Sequence, residues 1–324
     1  MNTRFGLYGP ILNPSDLDHA GWLDILLEAG MNLLSLHTDY PTLRDWMQST
    51  DGESWRNRLA RARIDLEFAI HFTPSFLPES LFREHRDWFP VDVCGTRYWE
   101  GANPCTSSES LLDYFRQKAV EAARTLPSTT HRYHLWAADN HPWCNCKACA
   151  PFSPSEQNLR LMHAMLEGLR SVDPKAELSY LAYMESLPPP AKIKPMNGIY
   201  LEFAPYRRNH RMPLSDPDCR TNADQLDGLH RLLAVFPASQ ARVLDYWLDV
   251  SLFSAYRKDL PPVEVIPAPG IIEADTAAYA ALGIREVTTF ACWMNAAYFR
   301  THTRTREAFV HFNRASRGGR RPIL

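Results

Sequence analysis

The stretch His131–Ala150, HRYHLWAADNHPWCNCKACA, decides how the rest of the chain is read. Its first half carries the bulky apolar residues Tyr133, Leu135 and Trp136 in a run that suits a β-strand. It closes on Asp139-Asn140, just before a loop holding Pro142 and three cysteines. A carboxylate where a buried strand opens into a loop is the arrangement expected of a parallel α/β barrel, whose chemistry gathers at the C-terminal ends of its strands. The reading then depends on whether the flanking chain supplies the other strands.

Strand and helix periodicities alternate on both sides. Upstream, Phe5–Tyr8, Asn32–His37 and Asp65–Phe72 read as strands. Between them lie an apolar helical stripe over Leu17–Ala29, closed by Gly30, and a polar helix around Ser54–Arg63. A long insertion at about residues 75–107 precedes helix Glu109–Leu126. Downstream, helix Glu156–Val172 leads to strands Glu177–Tyr183 and Gly198–Ala204. Helix Ala223–Phe236, strand Arg242–Asp249, a helix near Asp275–Leu282 and strand Glu286–Trp293 follow. Eight strands with helical returns, and no Gly-rich phosphate turn after the first, predict an α/β fold: a single-domain (β/α)8 TIM barrel over residues 1–310. Residues 311–324, with Arg314, Arg317, Arg320 and Arg321, read as a basic C-terminal tail.

With 35 Lys+Arg against 37 Asp+Glu the formal charge is −2, so no charge imbalance calls for a nucleic-acid or membrane-surface partner. The opening MNTRFGLYGPILNP lacks a secretory apolar core, and a cytoplasmic protein is expected unless a leader has been removed. Of seven cysteines, three fall within six residues, a poor disulfide framework but a familiar layout for metal or thiol chemistry. Nine Trp and 13 Tyr suit surfaces that stack on sugar rings, as well as a large core.

The segments HRDWFPVDVCGTRYW, NPCTSS, AADNHPWCNCKAC, LAYMESLPPP, YLEFAPYRRNHRMPLSD, LDYWLDVSLF and LGIREVTTFACW occur in that order from His85 to Trp293. Together they resemble the bacterial family of domain of unknown function 4838, whose best-studied branch is classed as glycoside hydrolase family 163. The resemblance implies a TIM-barrel glycosidase relative, with endo-β-N-acetylglucosaminidase action in that branch. Relatives often carry an extra α/β domain before the barrel, whereas this chain starts almost on its first strand.

Cleaving a glycosidic bond needs a proton donor and a second group that stabilises charge at the anomeric carbon, in most families both Asp or Glu. Substrate-assisted enzymes use the sugar's own 2-acetamido oxygen as nucleophile, and the second carboxylate orients it. Glu202 and Asp139 are the expected pair. Glu202 would be the acid, its pKa raised by Phe203, Ala204 and Pro205, and Asp139 the orienting group; the reverse assignment stays open. Asp245 and Asp249 are alternatives for the second carboxylate. Period-2 alternation puts both on one strand face with Trp247. The expected substrate-binding set is His37, Asn140, Tyr183, Arg208, Asp245, Trp247, Asp249 and Trp293. The competing explanations are arginine-paired or loop-capping carboxylates, aromatics that only pack, and a barrel that binds carbohydrate without cleaving it.

Cys144, Cys146 and Cys149 form C-x-C-x-x-C, one ligand short of a tetrahedral thiolate site, and Cys105 could supply the fourth. Such a set suggests structural zinc. His141 as the fourth ligand, free thiols, or a disulfide from Cys105 are the other readings. No cofactor for catalysis is expected.

Overall fold

The computed structural model describes residues 5–316 apart from residues 102, 140 and 269. Eight strands, β1 Leu7–Leu12, β2 Leu33–His37, β3 Asp65–His71, β4 Arg132–Trp136, β5 Glu177–Ala182, β6 Ile199–Phe203, β7 Arg242–Asp245 and β8 Glu286–Phe290, form a closed barrel. Every neighbouring pair is parallel, and β8 closes on β1 with Leu7 opposite Glu286. Helices α1 Trp22–Glu28, α2 Tyr40–Gln48, α3 Thr50–Ala62, α4 Phe72–Phe76, α5 Glu109–Thr125, α6 Pro154–Arg170 and α7 Arg220–Leu233 follow in chain order. They are completed by α8 Val250–Phe253, α9 Ile271–Ala281, α10 Ala296–Thr301 and α11 Thr305–Ser316. Among the described residues no helix is long and apolar enough to cross a membrane.

Strands buried on both faces divide the apolar residues into two cores. Outward-facing Leu34, Leu36, Phe68, Ile70, Leu135, Tyr180, Phe203, Val243 and Val287 belong to the large core shared with the helices. Inward-facing Ile11, Ala69, Trp136, Leu244 and Tyr246 form a small second core inside the barrel. Below that layer the interior is charged. Glu67, His134, Glu202 and Arg242 are all buried and hydrogen-bonded across four strands.

The boundaries of β1, β7, β8 and α11 differ from the sequence reading. Strand β1 runs through Gly9-Pro10, a dipeptide that reads as a breaker. Gly9 is needed there because a Cβ would lie 1.8 Å from the Leu33 carbonyl oxygen. Strands β7 and β8 stop at Asp245 and Phe290, several residues before Asp249 and Trp293. Helix α11 continues to Ser316, into the stretch read as a tail, because Phe309 packs on Trp22 and Phe312 on Trp247. Residues 317–324, with the remaining arginines, lie outside the described residues.

Candidate active site

At the C-terminal mouth of the barrel, above the inner apolar layer, lies a cavity of about 320 Å³. Its walls draw on the ends of β2, β3, β4, β5, β7 and β8, which is why residues remote in sequence meet there. Two carboxylates line it: Asp139, exposed on the loop after β4, and Asp249, on the loop after β7. Asp249 is nearly enclosed, and burial pushes its pKa up to about 6 against the hydrogen bonds from Ser251 and Leu252 that pull it down. Its Oδ1 accepts from the Ser251 amide at 3.0 Å and the Ser251 hydroxyl at 2.5 Å, which caps α8.

Two histidines form the floor. His37 Nδ1 lies 3.0 Å from the Ala69 carbonyl and His71 Nδ1 2.6 Å from the Ala137 carbonyl. A carbonyl only accepts, so each Nδ1 carries the proton and each neutral ring keeps Nε2 as an acceptor. Burial, with a smaller contribution from the nearby His71, drives the His37 pKa down to about 3. Tyr183, Tyr206, Tyr246 and Trp293 complete the walls with Phe290. Trp293 sits in the left-handed region with φ 72°, and its amide donates to Asp16 Oδ2 at 3.1 Å. A bulky residue held in that conformation costs on the order of 1–3 kcal/mol, and such strain is concentrated at functional sites.

Glu202 is not in this cavity, which corrects the sequence reading. It points into the barrel interior and is 1% exposed. His134 Nδ1 donates to its Oε2 at 2.9 Å and Trp136 Nε1 at 3.0 Å. Since Trp136 also lines the cavity, its indole separates Glu202 from the mouth. Burial alone would raise the Glu202 pKa, but the His134 charge and hydrogen bond prevail and hold it below its usual value. A carboxylate so placed is a core anion. Its apolar sequence neighbours Phe203 and Pro205 misled because alternation turns Phe203 away from the carboxyl, onto the outer face.

The same parity corrects Asp245 and Trp247, and Arg208, on the loop after β6, turns to the same side. Asp245 faces the helix layer, where Arg208 Nη1 lies 3.0 Å from its Oδ2 and 2.7 Å from Asp275 Oδ2. Tyr279 donates to Asp245 at 2.8 Å and Trp247 Nε1 to Asp275 at 2.8 Å. These residues make a closed polar cluster behind the barrel wall, with the Arg208 and Asp245 side chains 0% exposed. The inward face of β7 is Arg242, Leu244 and, past the strand end, Tyr246. Asp249 reaches the mouth because the chain leaves β7 after Asp245 and turns, its amide donating to the Tyr246 carbonyl at 3.2 Å. Of the other expected binding residues, His37, Tyr183 and Trp293 line the cavity, while Asn140 lies outside the described residues.

The family model described as "Domain of unknown function (DUF4838)" matches residues 36–303, most of the barrel. The chain belongs to the DUF4838 family. A search of curated proteins finds no match to it. Among solved structures it is similar to a catalytic mutant of a GH42 beta-galactosidase from G. stearothermophilus, at 13% identity and a TM-score of 0.58, covering 99% of this chain and 59% of that one. It is also similar to a cold-adapted beta-galactosidase from Rahnella sp. R3, at 13% identity and a TM-score of 0.56, covering 97% and 57%. A glycoside hydrolase family 5 enzyme from Prevotella bryantii B14 aligns over 96% of both chains at 11% identity and a TM-score of 0.52. The chain thus spans less than two thirds of the length of the beta-galactosidases it matches. At these identities the likeness is one of fold, that of TIM-barrel glycoside hydrolases.

In the DUF4838 barrel a smaller recess adjoins the main cavity and shares His71, Trp136, Asp139 and Tyr183 with it. Asn103, from the insertion after β3, borders this recess and brackets Asp139. Its Oδ1 accepts from the Ala138 amide at 2.8 Å and its Nδ2 donates to the His141 carbonyl at 2.8 Å. The insertion also brings Cys105 to the three cysteines of the β4 loop, and all four sulfurs lie within 4.8 Å of one another as unbridged thiols. The sequence reading missed Asn103, Asp16, Tyr206 and Tyr246. Only Tyr246 had a local signal, the parity of Arg242 and Leu244.

Proposed function

We propose that this DUF4838 chain is a glycoside hydrolase acting on a β-linked N-acetylhexosamine-type glycan at the barrel mouth, with Asp249 and Asp139 as its two carboxylates. The observation that carries the reading is one cavity shared by two acids, from the loops after β4 and β7, and walled by tyrosine and tryptophan. Asp249, with a pKa near 6, holds a proton for the leaving oxygen under mildly acidic conditions. As the bond from the anomeric carbon to that oxygen breaks, the 2-acetamido oxygen attacks the same carbon. Asp139 accepts a hydrogen bond from the acetamido N–H, and we assign the adjoining recess to the acetyl group. Water then opens the cyclic intermediate and gives its proton to Asp249, with retention. The N-acetylhexosamine assignment rests on the likeness to glycoside hydrolase family 163.

Turnover of aryl β-N-acetylglucosaminides, aryl uronides and N-glycans tests the proposal. Asp139→Asn and Asp249→Asn should each lower kcat by about 10²–10⁴-fold. Asparagine also caps helices, so Asp249→Asn should keep α8 in place. The Ser251 bonds of Asp249 favour a second reading, a barrel that binds carbohydrate without cleaving it. Calorimetric titration showing oligosaccharide binding with no turnover of any glycan would select that reading.

A further inference from the structure

We propose that Cys105, Cys144, Cys146 and Cys149 bind one zinc ion as a closed tetrathiolate site that pins the insertion after β3 to the loop carrying Asp139. The sulfur of Cys105 lies 3.7 Å from that of Cys146 and 3.9 Å from that of Cys149, and no pair in the set of four exceeds 4.8 Å. A tetrahedron with metal–sulfur bonds of about 2.3 Å has edges of roughly 3.8 Å. The Cys105 sulfur therefore already stands at that spacing from those of Cys146 and Cys149, and no other pair exceeds it by more than about 1 Å. A disulfide would need its sulfurs at about 2.05 Å. A multi-iron cluster interposes several irons and sulfides and holds its cysteines farther apart.

Donors around the sulfurs suit thiolates. The Val91 and Cys146 amides donate to Cys144 at 3.3 and 3.4 Å, and the Ser107 hydroxyl lies 3.1 Å from the Cys105 sulfur and 3.5 Å from that of Cys146. Such donors offset the negative charge that four sulfurs keep around a divalent cation. Each thiol gives up its proton as it ligates. Cys105, Cys144 and Cys149 are buried, so the four sulfurs close the coordination sphere with no open position, and the role is structural. His141 is not the fourth ligand. Its ring packs on Gly101, where an added Cβ would lie 2.1 Å from His141 Cε1.

The consequence for the mouth follows from chain connectivity. Asn103, two residues before Cys105, holds the backbone on both sides of Asp139. Zinc fixes the far end of the same loop through Cys144, Cys146 and Cys149, so Asp139 is suspended between two anchors on the insertion.

Elemental analysis of the full chain, purified without chelator, should find one zinc per molecule. Cys105→Ser combined with Cys146→Ser should abolish it, while Cys94→Ser and Cys219→Ser, outside the cluster, should retain it. If the double variant does not fold, cobalt exchange into the unmodified protein gives the same information through thiolate-to-cobalt charge-transfer bands and the visible spectrum of a tetrahedral ion. Zinc removal should raise amide exchange across residues 138–150. The proposal is overturned by a chain that neither contains zinc nor takes up zinc or cobalt, by a folded double variant that keeps its zinc, or by a disulfide within the set. None of these measurements needs a substrate, so the site stands or falls separately from the proposed hydrolysis.

Discussion

Replacing Glu202 by glutamine separates a core anion from a catalytic acid, and the structure gives both the size of the effect and its pH dependence. His134 lies between Glu202 and Glu67, at 2.9 Å from each, with Arg242 3.2 Å away. Burial opposes its charge, but the two carboxylates outweigh it and raise its pKa from 6.5 to about 9. A histidine with a raised folded-state pKa contributes stability that is fully present below pH 6.5 and is lost as pH rises through about 9. That difference corresponds to about 3 kcal/mol, or ~5 °C in Tm for 324 residues. In Glu202→Gln, His134 loses the charge and hydrogen bond that Glu202 supplies, burial is opposed by Glu67 without Glu202, and its pKa falls. The variant should therefore melt below the parent at pH 6, and the gap should narrow by ~5 °C as pH rises to about 9.5. Contributions common to both proteins drop out of the difference. Scanning calorimetry across this range, with turnover or ligand binding measured on the folded variant, checks both halves. A gap that does not change with pH, or a variant as stable as the parent that has lost turnover alone, would refute the placement of Glu202 in the core.

Three further outcomes are expected. Arg208→Met leaves Asp245 and Asp275 facing each other without their cation and should cost about 3–5 kcal/mol in denaturant unfolding, with KM unchanged in the protein that stays folded. The Asp249 carboxyl has a pKa raised to about 6, so its acid form persists up to that pH; kcat should fall as pH rises past about 6, and a pH–rate profile of Asp249→Asn should lack this limb. Trp293→Ala should weaken oligosaccharide binding by about 1 kcal/mol, roughly fivefold in Kd by calorimetric titration, through loss of a ring that lines the cavity.

The barrel was legible because its signal is local and repeated. Strands β2, β3, β5 and β6 read within one or two residues of their observed ends, since each is a short apolar run bounded by helix or turn signals. Asp139, which lines the cavity, was legible for a related reason, since it follows the end of β4 at Trp136. Glu202 faces inward but lies below Trp136, and Arg208, on the loop after β6, turns to Asp245 and Asp275; the errors at Asp245 and Trp247 have a different cause. A parallel barrel strand is buried on both faces, so alternation sorts its residues into two sets without saying which set faces inward. At β7 one set holds Asp245 and Trp247, which face the helix layer, and Asp249, which reaches the cavity only because the strand ends four residues earlier.

Sequence alone determined the number and order of the eight strands and hence the ring they close, because hydrophobic period and turn chemistry act over a few residues. It also brought the four cysteines into consideration as a set. Tertiary structure alone decided which acids share a cavity and which are locked into interior or helix-facing ion pairs. Those outcomes depend on the inward parity of each strand and on where each chain segment leaves the sheet, and both are settled by partners more than 30 residues away in the chain, as Glu202 is settled by His134 and Asp245 by Arg208.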